Sequence, residues 1–323
     1  MDAVNNYNFW QQLLHRIVLS PRFMREMMFD FEKSVFLNKS KIEVKNPVFV
    51  TGLARAGTTI LLEAIHASGK FASLSYSDMP FLMAPNLWKK IRKKEANQQK
   101  IERAHKDGLM VNSSSPEAFE EVFWQTFTQQ DAQVQIKNYI SLILHRYQKC
   151  RYLSKNNQNV NRINILQKIL PSAKVLIVFK NPVNHASSLL RQHLEFSKAQ
   201  KNDSFIKNYM DWIKHSEFGL SYQPIISENL KHVNPGCIDH WLEQWYLLYE
   251  KLIKCHKGDE NIVFVNGGLL HSGESWKKIR FFLEIGDYDF KFRDMRKNIE
   301  IDCDQELHQK CKILYDNLNK IAI

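Results

Sequence analysis

Two short stretches of this chain carry the residue types that hold oxyanions. The first reads Gly52-Leu53-Ala54-Arg55-Ala56-Gly57-Thr58-Thr59. Glycine at both ends lets the backbone turn tightly, and the free N–H groups of a helix start attract an anion with help from the helix dipole. Thr58 and Thr59 add hydroxyl donors, and Arg55 adds a charged planar fork that suits phosphate or sulfate. The second stretch is Lys180-Asn181-Pro182, with Ser188 eight residues after the lysine. It offers a cation, a proline that fixes φ at a strand-to-helix turn, and a hydroxyl on the first turns of a helix. Taken singly, the loop reads as a tight turn with an ordinary cap, Lys180 as a surface charge and Ser188 as a helix-face hydroxyl. Their joint occurrence argues against that plain reading. The spacing Gly-x4-Gly-x-Thr also nearly matches the ATP/GTP P-loop, but Thr58 stands in the lysine place, which argues against NTP hydrolysis.

Such loops need a strand before them and a helix after. Val48-Phe49-Val50, introduced by Asn46-Pro47 and ending in Thr51-Gly52, reads as a buried strand, and residues 58–67 have the composition of a helix. Val175-Leu176-Ile177-Val178-Phe179 repeats the pattern and enters a helix from about residue 184 to 195. Continuous apolar runs of this kind fit parallel strands covered by helices on both faces. Residues 151–154 and 261–265 read as further strands, preceded by helices over 131–149 and 239–256. Residues 7–37 show apolar positions at helical spacing, Phe9, Leu13 and Ile17, then Phe23 and Met27, with Ser20-Pro21 as a break. The expected fold is α/β: a doubly wound, mainly parallel sheet with a P-loop-like phosphate loop and helical insertions, binding ligands at the carboxyl ends of its strands. We read residues 1–323 as a single domain, with 1–40 a helical N-terminal extension and 70–150 a helical insertion on the acceptor side.

Composition narrows the partners. Of 323 residues, 44% are hydrophobic and 24% charged, which excludes extended disorder. The formal charge of +11 favours anionic partners. The basic residues are dispersed, unlike those of a nucleic-acid domain, and the densest cluster, Lys89, Lys90, Arg92, Lys93, Lys94 and then Lys100, reads as a solvated helix face. Five cysteines with no CxxC pair imply neither a zinc site nor a disulfide framework, and no metal is expected. No secretory leader and no membrane-length apolar run is evident, so the expectation is a soluble protein of the reducing cytoplasm.

The first loop resembles the 5′-phosphosulfate loop of the PAPS-dependent sulfotransferases (PAPS, 3′-phosphoadenosine 5′-phosphosulfate), which has the form (Lys/Arg)-Ser-Gly-Thr-Thr. Here it reads Arg55-Ala56-Gly57-Thr58-Thr59, with alanine at the serine place. That family also carries Arg-(Asn/Asp)-Pro and a serine eight residues after the arginine, for the donor's 3′-phosphate. Lys180-Asn181-Pro182 and Ser188 match this pattern, with lysine replacing arginine and so losing the bidentate fork. The stretches Tyr152-Leu153-Ser154-Lys155 and Trp276-Lys277-Lys278-Ile279 are similar to other parts of the family, and Glu102-Arg103-Ala104-His105 with Ser115-Pro116-Glu117 is similar to a segment of bacterial-type members. Gly267-Gly268-Leu269 departs from the acidic sequence often found there.

The resemblance implies a sulfuryl transfer from PAPS to an acceptor hydroxyl, with PAP as product and a glycan as the preferred acceptor class. Arg55, Ala56, Gly57, Thr58 and Thr59 would hold the 5′ end, Lys180 and Ser188 the 3′-phosphate, and Arg55 would stabilise charge on the leaving group. The acceptor must lose a proton to a carboxylate or imidazole. Asp78, 23 residues after Arg55, ranks first, and His105, 50 residues after it, second, with Asp107 as its partner or substitute. Phe81, Trp88, Phe123 and Trp124 are candidate cleft aromatics, although helical spacing favours the core for most, and His215 with Glu217 is a further candidate contact. The competing readings are a P-loop small-molecule kinase and a non-catalytic anion or nucleic-acid binding module.

Overall fold

The computed structural model describes residues 9–39, 42–92, 101–102, 110–292 and 302–323. Its strands are β1 (Val48–Thr51), β2 (Phe71–Ala72), β3 (Ile101–Glu102), β4 (Met110–Val111), β5 (Arg151–Lys155), β6 (Lys174–Phe179) and β7 (Ile262–Asn266). Five of them form one sheet in the order β2-β5-β1-β6-β7, and every neighbouring pair is parallel. β3 and β4 make a separate antiparallel pair. The helices are α1 (Phe9–Leu19), α2 (Arg22–Phe36), α3 (Thr58–Ala67), α4 (Pro85–Ile91), α5 (Glu120–Trp124), α6 (Gln129–Tyr147), α7 (Ile163–Ile169), α8 (Pro182–Asn202), α9 (Ser204–Trp212), α10 (Ile238–His256), α11 (Glu274–Leu283) and α12 (Gln305–Ile321).

Side chains alternate along each strand between two apolar layers. Val48, Val50, Leu176 and Val178 pack with α3 and α11, whereas Phe49, Val175, Ile177 and Phe179 pack with α6, α8, α10 and α12. Burial on both faces is what makes the strand sequences read as unbroken hydrophobic runs. The chain leaves β1 through α3 towards the β2 edge and leaves β6 through α8 towards the β7 edge, and the two helices lie on opposite faces. Opposite crossovers from adjacent strands define a topological switch point, and the crevice at the carboxyl ends of β1 and β6 is where such sheets bind ligands. This is the doubly wound α/β architecture that the strand patterns imply. No helix among the described residues is long and apolar enough to cross a membrane.

The N-terminal helices form where helical spacing places them, with the break at Pro21, but they bury a different face. Phe9 (70% exposed), Ile17, Phe23 (65%) and Met27 face outward. The buried face instead carries Val18, Leu19, Phe29 and Phe36 with Arg25 and Glu32. Charge placement misleads a polarity reading here because both charges are bonded inside. Arg25 donates to Thr126 Oγ1 at 2.9 Å and to the carbonyls of Leu19 and Ser20. Glu32 accepts from Asn86 N–H (2.7 Å), Asn86 Nδ2 (2.6 Å) and Leu87 N–H (3.0 Å), so its carboxylate caps the start of α4. Burial raises the carboxyl's pKa while these donors oppose the rise. Helix α8 starts earlier and ends later than its composition suggests, with Asn181 accepting from Asn184 N–H at 3.2 Å as its cap and Pro182 in its first turn.

Replacing Glu32 with alanine removes the acceptor of the buried Asn86 N–H, of one Asn86 Nδ2 proton and of the part-buried Leu87 N–H, and we predict a loss of about 3 kcal/mol, from roughly 1–3 kcal/mol per abandoned group with partial relaxation. Urea unfolding should show a lower midpoint at an unchanged slope; an unaltered midpoint would disprove the capping role.

Candidate active site

The loop between β1 and α3 is shaped by backbone crowding. Gly52 has φ 136°, and a Cβ built there would stand 2.3 Å from the carbonyl oxygen of Val178 on β6. Gly57, φ 107°, caps α3, so the chain enters Thr58 with its first amides unpaired along the axis. Between the glycines Arg55 takes a left-handed conformation, φ 69°, at a cost of roughly 1–2 kcal/mol. Strain of this kind needs neighbours that hold it.

Those neighbours come from two helices. On α10, Tyr249 donates its hydroxyl to Val178 O at 2.7 Å and accepts Leu53 N–H at 3.3 Å, which ties the loop to β6. One turn earlier, Trp245 Nε1 donates to Lys180 O at 3.1 Å. Spacing of four residues puts both side chains on one helical face, so a single helix pins both loops. Burial raises the Tyr249 hydroxyl pKa well above its usual value, leaving it a neutral donor. On α8, His185 Nε2 lies 2.7 Å from Ala54 O, and Ser188 Oγ accepts from Arg55 Nε at 3.4 Å. Arg55 and Ser188, 133 residues apart in sequence, therefore meet.

A third wall comes from the turn after β7. Gly267 N–H donates to Phe179 O at 2.8 Å, and a Cβ on Gly267 would fall 1.9 Å from Ala56 O. A Cβ on Gly268 would lie 4.0 Å from Lys180 Cγ. Asn266 fastens this turn by accepting Gly268 N–H at 3.0 Å and donating to Tyr315 and Asn319 on α12. Thus Arg55, Ala56, Gly57, Thr58 and Thr59 share one edge of the sheet with Lys180 and Ser188. These residues supply two cations, three hydroxyls and loop amides.

Asp78 sits elsewhere in chemical terms. It is fully buried and caps a short 3-10 turn (Tyr76–Asp78), accepting from Ser75 N–H at 3.0 Å and from the Tyr147 hydroxyl, with an ion pair to Arg146 at 3.3 Å. Burial raises its pKa against the pull of Tyr147, Arg146 and Ser75. This enclosure is a structural use of the carboxylate. His105 and Asp107 lie outside the described residues.

Other acids are equally engaged. Glu120 accepts from Trp124 Nε1, Tyr152 and Asn159, and Glu121 takes both arms of Arg162 and Asn156 Nδ2. Phe123 and Trp124 belong to the core, whereas Phe81 and Trp88 form a half-buried stack at 4.6 Å. Lys89, Lys90 and Arg92 make local contacts, to Arg146 O, over the Phe36 ring and to Ser77 O; Lys93, Lys94 and Lys100 lie outside the described residues. His215 lies 3.2 Å from Ala118 O, and Glu217 accepts from Asn157 Nδ2 at 3.0 Å, just past the end of β5. Sequence reading missed Tyr249, Trp245, His185 and Gly267. Only the Gly-Gly pair after a strand left a signal, and it is a weak one.

Residues 47–259, more than half of the chain, match the Sulfotransferase family. The chain belongs to this family. No curated protein sequence matches it. A sulfotransferase of Mycobacterium avium superposes with a TM-score of 0.53 at 12% identity, covering 98% of this chain and 80% of the other. A second, from Mycobacterium tuberculosis, covers 99% and 89% at 11% identity with a TM-score of 0.49. At such identities the likeness with the first speaks for the fold, and the sulfotransferase assignment rests on the family match.

For this sulfotransferase we predict that Asp78→Asn costs about 3 kcal/mol of stability, because it leaves the Arg146 cation buried without its counter-charge. Chemical denaturation of the purified variant checks it. Full stability with lost turnover would instead return Asp78 to the role of proton acceptor.

Proposed function

We propose that the chain is a PAPS-dependent O-sulfotransferase, transferring a sulfuryl group to an acceptor hydroxyl, preferably on a glycan, and releasing PAP. The observation that carries this reading is the contact between Arg55 and Ser188 at the switch point, which joins the two anion loops at one crevice. Arg55, Ala56, Gly57, Thr58 and Thr59 would hold the 5′-phosphosulfate, and Lys180 and Ser188 the 3′-phosphate. PAPS supplies the activated sulfuryl group, as a mixed phosphate–sulfate anhydride. Arg55 and the Thr58 and Thr59 hydroxyls then stabilise the charge that gathers on the departing phosphate, in a preorganised pocket. The enclosure of Asp78 makes it the weaker candidate for the acceptor's proton, which leaves His105 and Asp107. All five cysteines are unpaired, in keeping with a reducing cytoplasm.

Ligand-induced stabilisation tests the donor against the rival readings. PAP at one hundred times its dissociation constant should stabilise the protein by about 2.7 kcal/mol, with ATP and AMP at the same concentration giving less. Equal thermal shifts for all three would count against a 3′-phosphate site, and a larger shift with ATP would favour a kinase. Arg55→Ala should stay folded and lose roughly 100-fold or more in turnover of PAPS, by comparison with other preorganised charge stabilisers. Retained turnover would remove Arg55 from the chemistry.

A further inference from the structure

We infer that His185 is a positioning residue which locks the Arg55 loop to the helix that starts at Lys180, so that the two ends of the donor are gripped by one coupled unit. The inference rests on reading the two loops as the donor site.

His185 is completely buried and sits in the first turn of α8, three residues after Pro182. Its Nε2 lies 2.7 Å from the carbonyl oxygen of Ala54, the residue before Arg55. A carbonyl can only accept, so Nε2 carries the proton and donates it. Three residues further along the same helical face, Ser188 accepts from Arg55 itself. The left-handed turn at Arg55 is therefore held from one helix, through its backbone at Ala54 and through its side chain at Nε. That helix begins at the Lys180-Asn181-Pro182 turn, so any shift of the 3′-phosphate loop moves both tethers.

The other ring nitrogen supplies a second observation. His185 Nδ1 is buried and has no hydrogen-bond partner. Leaving a buried acceptor unsatisfied is unfavourable, and an apolar side chain in the same space would avoid it. Packing alone thus gives no reason for imidazole here, whereas the Ala54 tether does. The ring is kept neutral as well: burial pushes its pKa down to about 3 against the opposing pull of the Ala54 carbonyl, and Lys180 and Arg55 press in the same direction as burial. A neutral ring adds no third positive charge between the two cations.

A matched pair of variants separates tether from filler. His185→Gln can still present an N–H to Ala54 O, whereas His185→Met fills similar space without a donor. With wild-type full-length protein binding PAP, the Met variant should bind it about tenfold more weakly, the scale of one net hydrogen bond. The Gln variant should stay within about threefold of wild type, and the Met variant should bind adenosine 3′-phosphate, which lacks the 5′ group, with affinity unchanged to within about twofold. Thermal midpoints of the two variants should agree within about 4 °C, because Met loses the tether but also removes the unsatisfied nitrogen. Equal PAP affinity for Met and wild type, equal losses for Gln and Met, or parallel losses for PAP and adenosine 3′-phosphate would each overturn the inference. Failure of the wild type itself to bind PAP would instead overturn the donor assignment.

Discussion

The close approach of three backbone segments at the carboxyl edge of the sheet governs everything else in this site. The turn after β1 lies so near β6 that a Cβ at Gly52 would collide with Val178 O, and the turn after β7 lies so near the first that one at Gly267 would collide with Ala56 O. Only glycine permits these approaches. They turn three strand ends into one platform, on which Arg55 and Lys180 stand at the same edge although 125 residues separate them in sequence. Like charges brought to one edge repel each other. The cost of assembling them falls on the folded protein.

Such a platform is stable only if its turns cannot relax. Helix α10 supplies Trp245 and Tyr249, which hold Lys180 O and the Leu53–Val178 junction, and α8 supplies His185 and Ser188. These four side chains spread the restraint over both loops, and all four come from the two long helices packed against each other on one face of the sheet. The opposite face contributes α3, whose start is the cradle itself. Chemistry and fold thus share the same contacts, and a change in the packing of α8 against α10 will move both cations together.

The strand-loop-helix units were legible because their signals are local: β-branched runs buried on both faces, glycines where the chain must turn, a proline at a helix start. The order of the sheet and its switch point obey ordinary crossover rules but are visible only in the structure. What the sequence concealed depends on long-range pairing. A polarity reading puts Arg25 and Glu32 on a wet face, yet the buried partners Thr126, Asn86 and Leu87 reverse this, and Phe9, Phe23 and Met27 are left outward. Asp78 is hidden in the same way, since nothing near it announces that Tyr147 and Arg146 from α6 will enclose it. Nor does helical periodicity say that Tyr249 and His185, placed like core residues, aim their polar atoms at backbone carbonyls.

The fate of the acids sharpens the electrostatics of the crevice. Glu120, Glu121 and Asp78 flank the sheet on the α6 side, but tyrosine hydroxyls, asparagine amides and arginines take up their oxygens. The same pairing limits the proton acceptor. A general base must be reachable by the acceptor hydroxyl and able to gain a proton without stranding a buried partner. Asp78, on gaining one, would leave the Arg146 cation buried without its counter-charge. These acids are thus bound into the packing of that flank of the sheet.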